Sequence, residues 1–256
     1  MLVRTWNLYH GNSSPPQRNA FLDEMIRLAT ADDPDVLCLQ EVPAWALSRF
    51  TASALAARPV FGRPIGRALT DLNHGLLRSA FAGQGNAIQA SPRLRVLDRR
   101  SQMLNPRRFR QAKARELGLG LGARFAWAKE RRVAQAVRLQ SGDGPALLAC
   151  NVHCTSFPDR RLADAELLRA AEFAVSSAAA GDVVVLAGDF NVTAEESPAL
   201  RCLGTAEWGF TPPGPGIDHI LVRGAAAGPE QPWPEANRAH GDALLSDHAP
   251  VDVELR

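Results

Sequence analysis

Eight residues in this chain carry groups that could do chemistry together: Asn7, Glu41, His153, Asp189, Asn191, Asp218, Asp247 and His248. Each stands at the end of an apolar run or within two residues of one. Asn7 closes Leu2-Val3-Arg4-Thr5-Trp6, Glu41 closes Val36-Leu37-Cys38-Leu39-Gln40, and Asn151 and His153 close Ala146-Leu147-Leu148-Ala149-Cys150. Asp189 and Asn191 follow Val183-Val184-Val185-Leu186-Ala187, Asp218 opens His219-Ile220-Leu221, and Asp247-His248 precedes Ala249-Pro250. A core does not tolerate such groups unpaired. Strand ends gathered at one edge of a sheet are a usual place for a site. The set offers carboxylates, amides and imidazoles without a thiolate, which suits a hard cation such as Mg²⁺ or Mn²⁺. Hydrolysis of a phosphate ester needs charge neutralised and a water aligned, and this set could do both. Taken singly, each residue has a plainer role: Glu41 as a surface carboxylate, Asp189-Phe190-Asn191 as a turn, His153 as a satisfied semi-buried imidazole.

The elements that must position these residues follow from the same pattern. Strands are expected over 2–8, 35–41, 85–91, 131–140, 146–153, 183–187, 217–222 and 249–255. Helices are expected after Pro15-Pro16, with Phe21, Met25 and Leu28 on one face, after Pro43, with Leu47, Phe50 and Leu55, and over 159–179. Residues 61–85 are mixed and Gly-punctuated and receive no element. Periodicity alone would equally allow a doubly wound parallel sheet.

Composition sets outer limits. The 256 residues are 46% hydrophobic and 22% charged, with net charge +2, so the chain has material for a sizeable core and is no basic polyanion sponge. The four cysteines form no C-x-x-C pair, which excludes a zinc ribbon or thioredoxin-type motif. No signal peptide and no membrane-spanning run is read, so a cytoplasmic protein is expected. Pro212 to Gly216 is a loop rather than a linker, and one domain over 1–256 is the better count. Charge is unevenly spread: residues 93–115 hold nine basic side chains against Asp98, or +8, leaving −6 for the rest of the +2 total. That stretch is either an arm gripping an anionic substrate or a solvated loop.

Trp6-Asn7-Leu8, Leu39-Gln40-Glu41-Val42, Asn151-Val152-His153, Gly188-Asp189-Phe190-Asn191, Ile217-Asp218-His219-Ile220 and Ser246-Asp247-His248, in this order, resemble the endonuclease/exonuclease/phosphatase family, the DNase I-like superfamily. Any one tripeptide is weak; the six in order are specific and span residues 5 to 254. The resemblance implies a four-layer αββα sandwich, two mixed β-sheets face to face with helices outside. It implies a metal-dependent hydrolase acting on phosphate esters, with Glu41 as main ligand for Mg²⁺ or Mn²⁺ and Asn7 and Asp247 beside it. Asp189 would orient or deprotonate the attacking water and Asn191 would fix Asp189. His248 and Asp218 would act as a pair, and His153 would donate to a phosphate oxygen. His219 reads as structural. Abasic-site endonucleases of this family carry Tyr where this chain has His153, which argues against that branch. Nucleic acid is the first expected substrate and partner. Small or lipid-linked phosphates are the alternative, and a non-catalytic binding module is a third reading. No obligate protein partner is inferred.

Overall fold

The computed structural model describes residues 1–16, 21–58 and 83–256. In chain order its elements are β1 (Leu2–Asn7), β2 (Ser13–Ser14), α1 (Leu22–Ala29), β3 (Val36–Pro43), β4 (Ala52–Ala57), β5 (Gln84–Ala90), β6 (Arg95–Met103), α2 (Arg107–Glu116), α3 (Leu121–Lys129) and β7 (Val133–Gln140). They continue with β8 (Leu147–His153), α4 (Arg161–Ser177), β9 (Val183–Asp189), α5 (Pro198–Leu203), β10 (Asp218–Arg223), β11 (Gln231–Pro232), β12 (Ala239–His240), β13 (Ala243–Leu245) and β14 (Val251–Glu254).

Two mixed sheets result. The first runs β11-β14-β1-β3-β5-β4 and the second β10-β9-β8-β7-β6, with β12, β13 and β2 forming a small third sheet. β1 and β3 are parallel in the first sheet, β8 and β9 in the second, and the other pairs are antiparallel. Period-2 alternation sorts the side chains. Val3, Cys38 and Ile88 of the first sheet meet Val137, Ala149, Val185 and Ile220 of the second in an apolar layer between them. The opposite faces are covered by helices. Leu37 and Leu39 pack with Leu22, Met25 and Ala29 of α1, and Leu148, Cys150 and Leu186 pack with Leu167 and Ala171 of α4. The architecture is the expected αββα sandwich. Met25 is wholly buried, and burying such a side chain contributes roughly 1.5–3 kcal/mol.

Toward one end the layer between the sheets turns polar. Asn151 is fully buried there. Its Nδ2 donates to the carbonyls of Leu39 and Ala87, both at 2.9 Å, and its Oδ1 accepts from Gln40 Nε2 at 2.7 Å. One amide thus ties β8 of the second sheet to β3 and β5 of the first, directly beneath the site.

Several elements differ from the sequence-based expectation. After Pro43 the chain makes a short 3-10 turn (Ala44–Arg49) and then the edge strand β4, rather than a helix through Leu55. The basic stretch is not a loop: it is edge strand β6 followed by α2. The segment 61–85 lies almost entirely outside the described residues, as do the first positions of the helix expected after Pro16. Among the described residues no helix is long and apolar enough to cross a membrane.

Candidate active site

Alternation delivers the site residues. On β1, Val3 and Thr5 face the second sheet, so Asn7 does too; on β8, Leu147, Ala149 and Asn151 bring His153 to the same face. Val185 and Ala187 do this for Asp189, and Ile220 and Val222 for Asp218. Register sets the neighbours: Asp189 lies opposite His153 on one side and opposite Asp218 on the other.

Glu41 breaks the pattern. Strict alternation would place it with Leu37 and Leu39 against α1. Instead, the register with β5 shifts between Leu39 and Val42, and Glu41 has φ 51°. Val42 then rejoins the α1 side, so Glu41 is the extra residue of a bulge that re-aims its carboxylate. Six non-glycine residues have positive φ among those described, and five of them, Tyr9, His10, Glu41, Asn191 and Ser246, lie in the site loops and bulge. Such conformations cost about 1–3 kcal/mol each and persist where surrounding bonds over-determine them.

Asp189 is the hub, with 1% of its surface exposed. Its Oδ2 accepts from Asn7 Nδ2 at 2.9 Å and lies 3.5 Å from His153 Nε2 and 3.8 Å from His248 Nε2. Its Oδ1 accepts from the Asn191 N–H at 2.9 Å, while the Asn191 amide donates to the Cys154 carbonyl. His248 Nδ1 pairs with Asp218 Oδ2 at 2.7 Å. The His248 backbone is fixed as well: Trp6 Nε1 donates to its carbonyl, and its N–H donates to Ser246 Oγ, whose own proton goes to the Asn7 carbonyl. Asp247 is exposed, with Oδ1 4.0 Å from His248 Nε2. All eight expected residues therefore fall in one region. His219 points to the α4 side, between Glu230 and the Val192 carbonyl, as a structural residue should.

Burial drives the Asp189 carboxyl up to about 7, with Asp218 and Glu41 adding to the rise against the opposing pull of His248 and Asn7. Like charges directly opposite across a strand pair raise a carboxyl in this way. Burial works against charge on His248, but the Asp189 charge and the hydrogen bond its Nδ1–H donates to Asp218 outweigh it and push the imidazole up to about 10. The site thus pairs a carboxyl near neutrality with a strongly basic imidazole.

Asp189, Asp218 and His248 offer ligand atoms within 4.8 Å of one another, and Asp218 Oδ1 is buried with no hydrogen-bond partner. With Glu41, Asn7 and Asp247 nearby, the donors are mainly oxygens and fit a hard divalent cation. Glu41 and His153 open onto a cavity of about 360 Å³ bordered by Lys129, Arg132, Thr155 and Ser156.

One residue escaped the sequence reading. His10 Nε2 stands 3.0 Å from Glu41 Oε2, and His10 is wholly buried. It lies in the turn after β1, where no periodicity marks it; its closeness to Asn7 was the only available signal.

The sequence matches the Endonuclease/Exonuclease/phosphatase family over residues 5–248. No curated protein matches by sequence. Solved structures share the fold. A functionally unknown conserved protein from Enterococcus faecalis V583 aligns with TM-score 0.66 at 17% identity, covering 100% of this chain and 99% of the other. An endonuclease/exonuclease/phosphatase from Bacteroides vulgatus aligns at 0.65 and 18%, covering 100% and 98%. A humanized D. rerio TDP2 aligns at 0.62 and 13%, again covering 100% and 98%. The match covers nearly the whole chain and includes every residue gathered around Asp189, and the chain belongs to the endonuclease/exonuclease/phosphatase family.

Proposed function

We propose that residues 1–256 form one catalytic unit, a Mg²⁺- or Mn²⁺-dependent phosphoesterase that hydrolyses phosphodiester bonds, with nucleic acid as its first substrate class. The observation that carries this reading is Asp189, buried between two imidazoles at the polar end of the layer between the sheets. A carboxyl raised toward neutrality can accept a proton from water at ordinary pH. Asn7 and the Asn191 N–H hold it in one orientation. His248, kept protonated and aligned by Asp218, and His153 would donate to phosphate oxygens as charge builds at phosphorus. Glu41, Asn7 and Asp247 would hold the cation, whose chemistry is Lewis-acid polarisation of a phosphoryl oxygen.

Preference for a polyanion rests on α2 and α3. Arg107, Arg110, Arg115 and Arg124 line a cleft of about 450 Å³. Arg4, Arg93, Arg138 and Arg161 elsewhere pair with carboxylates. The four cleft arginines have no carboxylate partner among the described residues; three cap backbone carbonyls instead. Uncompensated guanidinium groups suit phosphates. α3 lines both this cleft and the cavity at Glu41 and His153. That second, small cavity favours the alternative, a phosphatase or phosphodiesterase for small or lipid-linked phosphates. A non-catalytic module would have lost a carboxylate or the His–Asp pair, and this chain retains all of them. Four unbridged cysteines are in keeping with the cytoplasm as compartment.

The test is hydrolysis of bis-p-nitrophenyl phosphate with added Mg²⁺ or Mn²⁺, then a panel of DNA, RNA, inositol phosphates and sphingomyelin. Removing a general base typically costs about 10²–10⁴-fold, so Asp189→Asn should fall by that order. Wild-type protein that cleaves no member of the panel with either cation would reject the reading.

A further inference from the structure

We propose that His10 is a positioning residue for Glu41: its imidazole holds one carboxylate oxygen from behind, so that the other is presented to a divalent cation. The inference rests on the metal-dependent reading above and extends it to a residue outside the eight. Glu41 uses its two oxygens differently. Oε2 lies 3.0 Å from His10 Nε2, whereas Oε1 lies 3.9 Å from His153 Nε2. Glu41 and His153 both line the cavity, while His10 is wholly buried and does not. His10 therefore reaches the carboxylate from the protein side and the cavity is reached from the other.

The backbone around His10 is built for that placement. Tyr9 and His10 are consecutive non-glycine residues in the left-handed region, with φ 46° and 57°. The turn is locked at both ends: the Tyr9 N–H donates to Asn7 Oδ1, the Gly11 N–H to the Leu8 carbonyl and the Asn12 N–H to the Tyr9 carbonyl. The Asn12 carbonyl accepts from the Ser246 N–H, joining this turn to the loop that carries Asp247 and His248. Gly11 leaves no room for adjustment, since a Cβ there would lie 3.0 Å from Leu22 Cβ. An apolar side chain would fill the buried space at position 10 without placing a polar ring in the interior. Glu41 itself projects from a bulge, where strand pairing does not fix its direction, so a second group must. The His10 ring does so across a 3.0 Å contact rather than a well-aligned hydrogen bond.

The experiment is Mn²⁺ binding to the metal-free full chain, read from the electron paramagnetic resonance signal of free Mn²⁺ and needing no turnover. Two amides of different reach replace the imidazole. Asn tolerates the left-handed backbone but is too short to reach Oε2, whereas Gln can place its nitrogen near the position of Nε2. Removing the outer partner of a metal ligand typically weakens metal binding about 10–100-fold, and His10→Asn should do so. His10→Gln should recover most of the loss, and in a Glu41→Gln background His10→Asn should add nothing. Should His10→Asn fail to fold, His10→Leu fills the space without a donor and should show the same loss. Wild-type affinity in the Asn and Leu variants, an equal loss in the Gln variant, or an undiminished loss in the Glu41→Gln background would overturn the assignment. If Glu41→Gln alone left Mn²⁺ binding intact, the metal role of Glu41 would fail first, and the positioning role with it.

Discussion

Replacing Asn151 with alanine removes the one side chain among the described residues that hydrogen-bonds to both β3 and β5 from the second sheet. Two donated bonds at 2.9 Å disappear, leaving the Leu39 and Ala87 carbonyls without that partner. Gln40 Nε2 loses Oδ1 but keeps contacts with Thr5 Oγ1 at 3.0 Å and the Cys38 carbonyl at 3.3 Å, so its loss is smaller. A net hydrogen bond contributes about 0.5–1.5 kcal/mol, so the two lost bonds imply roughly 1–3 kcal/mol. That is a large share of the roughly 5–15 kcal/mol that holds a domain folded. For a chain of this size it lowers Tm by roughly 2–12 °C, at about 2–4 °C per kcal/mol. Asn151→Leu separates the causes, because it restores volume without donors and should recover little. Urea titration and calorimetry of both variants measure the effect. A loss under about 1 kcal/mol for Asn151→Ala, or a Leu variant as stable as wild type, would refute the hydrogen-bond argument.

Glu41→Gln should depress metal-dependent turnover by orders of magnitude, while the melting temperature of the metal-free protein stays close to wild type; equal activity at limiting metal would remove Glu41 from the ligand set. The 2.7 Å His248–Asp218 pair should act as a unit, so kcat/KM of the double alanine variant should fall barely below that of His248→Ala. Fully additive losses would give Asp218 a separate task. Replacing Arg107, Arg108 and Arg110 with Gln should flatten the salt dependence of DNA cleavage by up to roughly three units, at about −0.9 per neutralised phosphate. KM should rise far more on a long polynucleotide than on bis-p-nitrophenyl phosphate, and equal effects on the two would move the preference to small phosphates.

How legible these features are depends on how much of each element is buried. β3, β8 and β9 are almost continuously apolar and covered on both faces, so their runs announce them. β4 is Ala52-Ser53-Ala54-Leu55-Ala56-Ala57, an edge strand whose composition favours helix and whose strand state comes only from pairing with β5. β6 is another edge strand, with Arg95, Asp98, Arg99 and Arg100 in its ladder. Its charges are tolerated because one edge and much of its surface face solvent, and the same charges hide it among surface residues. A basic run in sequence is thus divided between β6 and α2, and only the α2 portion lines the arginine cleft.

The site shows the same division between what pattern encodes and what tertiary structure supplies. Asn7, His153, Asp189 and Asp218 each share strand parity with inward apolar neighbours, so their common face could be worked out from spacing once the strands were known. Glu41 could not be placed that way. Parity assigns it to the α1 face, and only the bulge against β5 turns it round, an irregularity set by the partner strand. The consequence reaches His10. A carboxylate that follows its strand's alternation is aimed by the ladder; one projecting from a bulge has lost that constraint and needs another. The turn after β1 supplies it, through two successive left-handed residues held by Asn7, Leu8 and Ser246. Asn7 therefore acts twice, donating to Asp189 through Nδ2 and anchoring through Oδ1 the turn that brings His10 to Glu41. A substitution at Asn7 should accordingly disturb both carboxylates at once. A change confined to His10 should disturb Glu41 alone and leave the Asp189 contacts intact.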